Sequence, residues 1–392
     1  MASHSPPRLQ TRPKPTLQLL ASLLVGGPWP PTHLWPAICQ QAVQHGLAPL
    51  LYDQLRSSGT LANLPAAAQA QLLEAYGQAA GYHFLALEQA CVWAERFATA
   101  GITAVWFKGV PLSLALYPRP ETRPMTDIDV LVSHEQLPQA LALVERVSGS
   151  RPVMFNPQRA IHAVFNLGPA ALVKMELHWN LIDVPGAMLS PNPDWFLGQQ
   201  MVLRHNGHEL LTFRPEAHLL YLCAHAGIAH GEGQLQLLRY YDIHRMLEVV
   251  QPLDWEAVVS QAAAFRWTYV VERALRLAQA YFGTPIPAGV LTALAAQRPA
   301  DEDTSIVVRR QQPRSRWQRT VDRLGTLSWG QRMGTLFDLL FPPADYMRWR
   351  YRIQQRWQLP FYYLYRWLDA AGDVLRGGRT AGPEELQEEV SH

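Results

Sequence analysis

The sequence predicts an α+β protein, with a small mixed β-sheet core flanked by N-terminal helices and a larger C-terminal helical region. Three observations carry that expectation. Apolar residues recur at helical spacing through residues 33–100 and again beyond 213. Short β-branched and aromatic runs bounded by Gly and Pro cluster between 102 and 179. Within that middle region, charged residues alternate with apolar ones at the period of two that marks a strand with two different faces.

Residues 1–16, rich in Pro, Ser and Arg and without periodicity, are expected to be a disordered tail. An N-terminal helical segment follows over 17–100. Its first clear pattern is Ile38, Val43, Leu47, Leu50, Leu51 and Leu55, stopped by Ser57-Ser58-Gly59. Pro65 then opens a long Ala-, Gln- and Glu-rich helix ended by Gly101, with Gly77 and Gly81 weak enough to split it in two. The sheet core is placed at 101–185. Ile102 to Phe107 reads as a buried strand, Gly109-Val110-Pro111 as a helix start, and Asp127 to Val132 as a second strand. Glu135 to Val147 is an amphipathic helix, and two β-like runs around Gly168-Pro169 suggest a hairpin. A helical domain is expected over 186–297, a linker over 298–316, and an Arg/Trp-rich helical region over 317–392.

At 392 residues the chain is long enough for two domains. The net charge of +2 hides an uneven distribution, since Thr304 to Trp367 is Arg-rich while the C-terminus is acidic. That Arg- and aromatic-rich stretch could attract nucleic acid, lipid headgroups or an acidic peptide, but amphipathic helices with stacked Arg stems explain it more simply, so nucleic acid is not favoured as a partner. Cys39, Cys91 and Cys223 lie far apart and suggest neither a disulfide framework nor a zinc site. No apolar run reaches the roughly 18–20 residues of a membrane span. With no secretory pattern at the N-terminus, a soluble cytoplasmic protein is the expectation. Lysine occurs only as Lys14, Lys108 and Lys174 among 34 Lys and Arg residues, and two of the three fall in the sheet core.

Asp127 and Asp129, two residues apart on a strand, share one face, while Ile128 and Val130 take the other. Two such carboxylates buried side by side repel unless a cation joins them, and Mg²⁺, with Mn²⁺ as a substitute, is the natural oxygen-seeking ion. In Val173 to His178, Lys174, Glu176 and His178 likewise share a face. Three carboxylates so placed could hold two ions about 3.5–4 Å apart and clamp an in-line displacement at phosphorus. An ordinary edge strand with a solvated face is the plainer alternative. At Lys108-Gly109 a strand turns into a helix, where backbone N–H groups can approach a phosphate. His218, His225, His230, Asp242 and His244 form a second polar group. The five-residue spacing of His225 and His230 is poor for one α-helical face, which argues against zinc there.

The stretches WFKGVPLSLALYP, RPMTDIDVLV, MELHWNL and AHLLYLCAHAGIAHG…RYYDIHRML make the chain similar, over about residues 35–290, to the uncharacterised nucleotidyltransferase family of the DNA polymerase β-like superfamily. The resemblance implies that Asp127, Asp129 and Glu176 are the catalytic metal ligands, with Glu176 orienting the nucleophile. It implies that Lys108 and Gly109 bind the phosphates of an NTP donor such as ATP. Lys174 and His178 stand beside them, and Arg123 sits where it could pair with a phosphate or brace the aspartates. Val110 departs from the second small residue of the superfamily motif, and Ser113, one turn on, offers a compensating hydroxyl.

The expected reaction is Mg²⁺-dependent transfer of a nucleoside monophosphate from an NTP to an unidentified acceptor, a small molecule or a peptide or protein. The same metal site with a nucleotide-sugar donor is one alternative. An inactive nucleotidyltransferase-like binding module is the other.

Overall fold

The computed structural model describes residues 15–153, 160–168, 171–182, 192–231, 235–309, 329–351 and 355–375, and residues 311, 321, 324 and 353. Four helices come first: α1 (Pro15–Leu24), α2 (Trp35–Gln44), α3 (Ala48–Ser57) and α4 (Ala66–Thr99). The last is one continuous helix of 34 residues, not two. Gly77 and Gly81 lie on its open side, where an added Cβ would meet nothing within 4 Å. Their penalty of about 1 kcal/mol each is offset by the buried stripe of Leu72, Ala79, Ala86, Ala90, Trp93 and Phe97.

The sheet then assembles from β1 (Val105–Phe107), β2 (Ile128–Leu131), β3 (His162–Leu167), β4 (Val173–His178), β5 (Gln200–His205) and β6 (His208–Phe213), in the order β3-β4-β2-β1-β6-β5. It is mixed. β1 runs antiparallel to β2 and parallel to β6, β2 runs parallel to β4, and β3/β4 and β5/β6 are hairpins. Helices α5 (Gly109–Leu116), α6 (Leu137–Ser148) and α7 (Pro193–Gly198) connect these strands. The α+β class expected from the sequence is the observed one. The β5/β6 hairpin has no counterpart in the sequence reading, although Asn206-Gly207, both at positive φ (48° and 84°), is a strong two-residue hairpin signal.

Beyond the sheet follow α8 (Pro215–Ala224), which runs directly into a π-helix at His225–His230, and then α9 (Leu237–Val249), α10 (Trp255–Phe265), α11 (Thr268–Phe282) and α12 (Val290–Ala296). Shorter helices occupy Ser305–Arg309, Trp329–Leu340, Ala344–Arg350 and Leu359–Leu375. The expected tail lies outside the described residues up to position 14, as does the acidic C-terminus. Among the described residues, no helix is long and apolar enough to cross a membrane.

Alternation along the strands divides the interior in two. One face carries Trp106, Ile128, Val130, Phe165, Met175 and Leu177, packed against Trp93 and Phe97 of α4 and Val144 of α6. Val105, Phe107, Leu131 and Phe213 point the other way and join the core built by α1–α3 and α8–α11. By the same period of two, Asp129, Glu176 and His178 fall on this second face. The polar cluster is therefore roofed by helical residues far along the chain.

Candidate active site

Register brings the carboxylates together. Asp129 of β2 lies directly across from Glu176 of β4, and Phe107, the last residue of β1, lies across from Asp129 on the other side. Asp127 stands one residue before β2, where the chain enters the strand. Tyr82 of α4 secures this entry, its hydroxyl donating to the Thr126 carbonyl at 2.6 Å.

Three protein cations meet the three carboxylates. Lys108 Nζ is 2.7 Å from Asp129 Oδ1. Lys174 Nζ bridges Asp127 Oδ2 and Glu176 Oε1, at 3.2 Å from each. His178 Nε2 lies 3.2 Å from Asp129 Oδ1 and 3.3 Å from Glu176 Oε2, while its Nδ1 is 3.2 Å from the Asn180 carbonyl. Oxygen acceptors at both ring nitrogens favour the doubly protonated form of His178.

The electrostatics follow. Burial works against the His178 charge, but its hydrogen bonds to Asp129 and Glu176 prevail and hold its pKa above the usual value. Burial also favours neutral Asp129, yet the Lys108 ammonium and the His178 hydrogen bond keep that carboxyl below the ordinary range. Glu176 is held well below its usual value against the same burial, by the His178 hydrogen bond and the surrounding positive groups. Asp127 goes the other way. Burial, then the charges of Asp129 and Glu176, push it up to about 6. Two carboxylates two residues apart are thus driven apart, a pattern typical of functional sites.

One oxygen is left over. Asp129 Oδ2 is buried and has no hydrogen-bond partner among the described residues, although Asp129 as a whole is only 2% exposed. An unpaired buried carboxylate oxygen is expensive, and a divalent cation is the partner that this donor chemistry fits.

Lys108 reaches the site from a strained backbone. Its φ of 56° and ψ of −122° lie where a non-glycine residue costs on the order of 1–3 kcal/mol. Its N–H donates to His218 Nε2 of α8 at 3.2 Å, an acceptor kept neutral because burial, then Arg123, lowers the His218 pKa to about 3. Gly109 is closely packed. A Cβ there would sit 3.3 Å from Met125 Sδ and 3.4 Å from the Asp127 carbonyl oxygen.

Not every residue singled out in the sequence comes to the cluster. Lys108, Asp127, Asp129, Lys174, Glu176 and His178 form it, and Gly109 adjoins it. Ser113 is fully buried and returns its hydroxyl to the Val110 carbonyl at 2.8 Å. Arg123 turns toward α9, where Nε and Nη2 hold the two oxygens of Asp242 at 2.9 and 2.8 Å. Tyr117 adds its hydroxyl to Asp242 Oδ1 at 2.6 Å. His244 belongs to helix packing, with Nδ1 3.2 Å from Thr284 Oγ1.

His225 and His230 do share a face, contrary to the spacing argument. The helix that carries them is a π-helix, in which residues five apart stack, and their Nε2 atoms lie 3.1 Å apart. His225 also stacks on Tyr221, whose ring centroid is 5.8 Å from Lys108 Nζ. Tyr82, Tyr221 and His162 are further residues at the site that the sequence motifs do not mark. Of these only His162 carried a usable signal, since it alternates with Val164 and Asn166 on the strand that pairs with Lys174–His178.

No curated protein matches the chain. Among solved structures, the crystal structure of an antigenic nucleotidyltransferase-like protein from Paracoccidioides brasiliensis is similar at 17% identity and a TM-score of 0.36, covering 52% of this chain and 95% of that one. The family described as uncharacterised nucleotidyltransferase matches residues 31–283, which take in the whole sheet, the carboxylate cluster and α8–α11, and the chain belongs to that family.

Proposed function

We propose that the chain is a nucleotidyltransferase that transfers a nucleoside monophosphate from an NTP to a small-molecule or peptide acceptor, with Asp127, Asp129 and Glu176 holding Mg²⁺ or Mn²⁺. The observation that supports this reading is Asp129 Oδ2, buried and unpartnered among the described residues, on the residue that lies directly across from Glu176. A bound ion would neutralise phosphate charge and stabilise the in-line displacement, through one metal position or two.

The chain's own residues supply the rest. Lys108 and Lys174, compact cations seated on the carboxylates, are placed to move to the phosphate oxygens when a triphosphate enters. His218 fixes the Lys108 backbone and so the direction from which that ammonium approaches. Glu176 orients the acceptor hydroxyl, whose oxygen attacks the α-phosphorus as pyrophosphate leaves. Most of the rate then comes from positioning and charge stabilisation.

Incubation with each NTP, Mg²⁺ and a pool of candidate acceptors tests the proposal. Pyrophosphate should appear together with an acceptor mass increased by one nucleoside monophosphate. Release of a nucleoside diphosphate from a nucleotide sugar would instead assign the site to glycosyl-type transfer.

One contact favours a second reading, a binding module without catalysis. Lys174 Nζ occupies the position between Asp127 and Glu176 that an ion would take. On that reading, saturating Mg²⁺ and nucleotide leave the thermal midpoint unchanged.

A further inference from the structure

Beside the aspartate pair, the β3/β4 hairpin gathers a second donor set of different chemistry. His162 opens β3, the edge strand, directly across from His178. The two ring centroids are 4.7 Å apart. One ligand atom from each of His162, Glu176 and His178 falls within 4.8 Å of the other two. The 3.3 Å between His178 Nε2 and Glu176 Oε2 fits the roughly 3.0–3.5 Å separating two ligands that each stand ~2.0–2.2 Å from one ion.

Two surrounding features point to a metal. His178 Nδ1 is tied to the Asn180 carbonyl, the backbone contact that orients a metal-bound imidazole, and an ion would take Nε2 in place of the proton that now faces Asp129 and Glu176. His162 Nδ1 is buried and, among the described residues, has no hydrogen-bond partner. His162 is itself only partly buried, and an ion would draw its ring across the remaining gap.

We infer that His162, Glu176 and His178 form a nitrogen–oxygen site for a borderline divalent transition ion (Co²⁺ or Zn²⁺) adjoining the all-carboxylate position. Imidazole suits these ions, whereas Mg²⁺ prefers oxygen ligands and keeps its waters. An ion here needs no nucleotide, so the site stands apart from the transfer reaction.

Titration of the 392-residue chain with Co²⁺, in the absence of nucleotide, tests it through the visible d–d absorption of the bound ion. The expected result is a saturable spectrum that excess Mg²⁺ does not erase. Asp129→Asn should retain it, and His162→Gln should weaken Co²⁺ binding by about tenfold or more. His162→Cys, which keeps a ligand atom, should restore binding and add a thiolate-to-Co²⁺ charge-transfer band in the near ultraviolet. Circular dichroism confirms that each variant is folded. Wild-type Co²⁺ affinity in His162→Gln, no charge-transfer band in folded His162→Cys, or full displacement by Mg²⁺ overturns the inference. Failure of the transfer reaction leaves all of these readouts in place.

Discussion

Arg123 holds both oxygens of Asp242, at 2.9 and 2.8 Å, across 119 residues of sequence. Both side chains are almost wholly buried, 8% and 3% exposed. Arg123 lies in the segment that leads into Asp127, while Asp242 belongs to α9. The pair therefore locks the aspartate-bearing turn to the helices that roof the site. Removing one partner leaves the other charged and unpaired, which typically costs about 3–5 kcal/mol. Asp242→Ala should show that loss in urea unfolding. Arg123→Lys should recover little of the wild-type stability, since an ammonium cannot make the two-point contact.

The π-helix rests on a close approach. A Cβ on Gly227 would lie 2.3 Å from Val270 Cγ2 of α11. Gly227→Ala should destabilise the fold by about 1–3 kcal/mol through overpacking. Val270→Ala in the same chain should return part of that loss, because the next contact is an ordinary 3.7 Å. A double-mutant cycle with chemical unfolding measures the coupling.

The positive φ of Lys108 separates backbone from charge. Lys108→Gly and Lys108→Ala both remove the ammonium from Asp129, so both should weaken NTP binding in calorimetry to a similar degree. Their stabilities should differ. Gly accepts φ near 56° without strain, and Lys108→Gly should exceed Lys108→Ala by about 1 kcal/mol.

Asp127 gives a pH dependence. Its carboxyl ionises near 3.8 in an unfolded chain and at about 6 in the fold. Between those values the folded state holds the extra proton, so this group's contribution to stability falls as pH rises and reaches its full cost above about 6. In metal-free protein, Asp127→Asn escapes that cost. Its unfolding midpoint should exceed wild type at pH 7, and the advantage should vanish as pH falls toward 4. Saturating Mg²⁺ should reverse the ranking at pH 7 by stabilising only the ionised aspartate.

Much of this site was legible because strands obey a period of two. Asp127 and Asp129, and Lys174, Glu176 and His178, could be assigned to common faces from spacing alone, and the fold class followed from where such runs cluster. Roles set by long-range partners were not legible. Nothing near Arg123 in the sequence announces Asp242, and nothing near Lys108 announces His218, because those contacts depend on how α8 and α9 roof the sheet. The His225–His230 pair was misjudged for a local reason, as α-helical geometry was assumed where the chain adds a residue per turn. The β5/β6 hairpin was readable from Asn206-Gly207 and was passed over, because the apolar residues around that turn do not alternate cleanly.

The central claim is that Asp129 holds a divalent ion for nucleotide binding. Calorimetric titration of a non-hydrolysable NTP analogue into the metal-free chain, with and without Mg²⁺, tests it most directly when repeated on Asp129→Asn. The account predicts binding that requires Mg²⁺ in the wild type and loses that requirement, along with at least tenfold in affinity, in the variant. Equal affinity with and without Mg²⁺ in the wild type, or an unchanged Mg²⁺ dependence in Asp129→Asn, would contradict it.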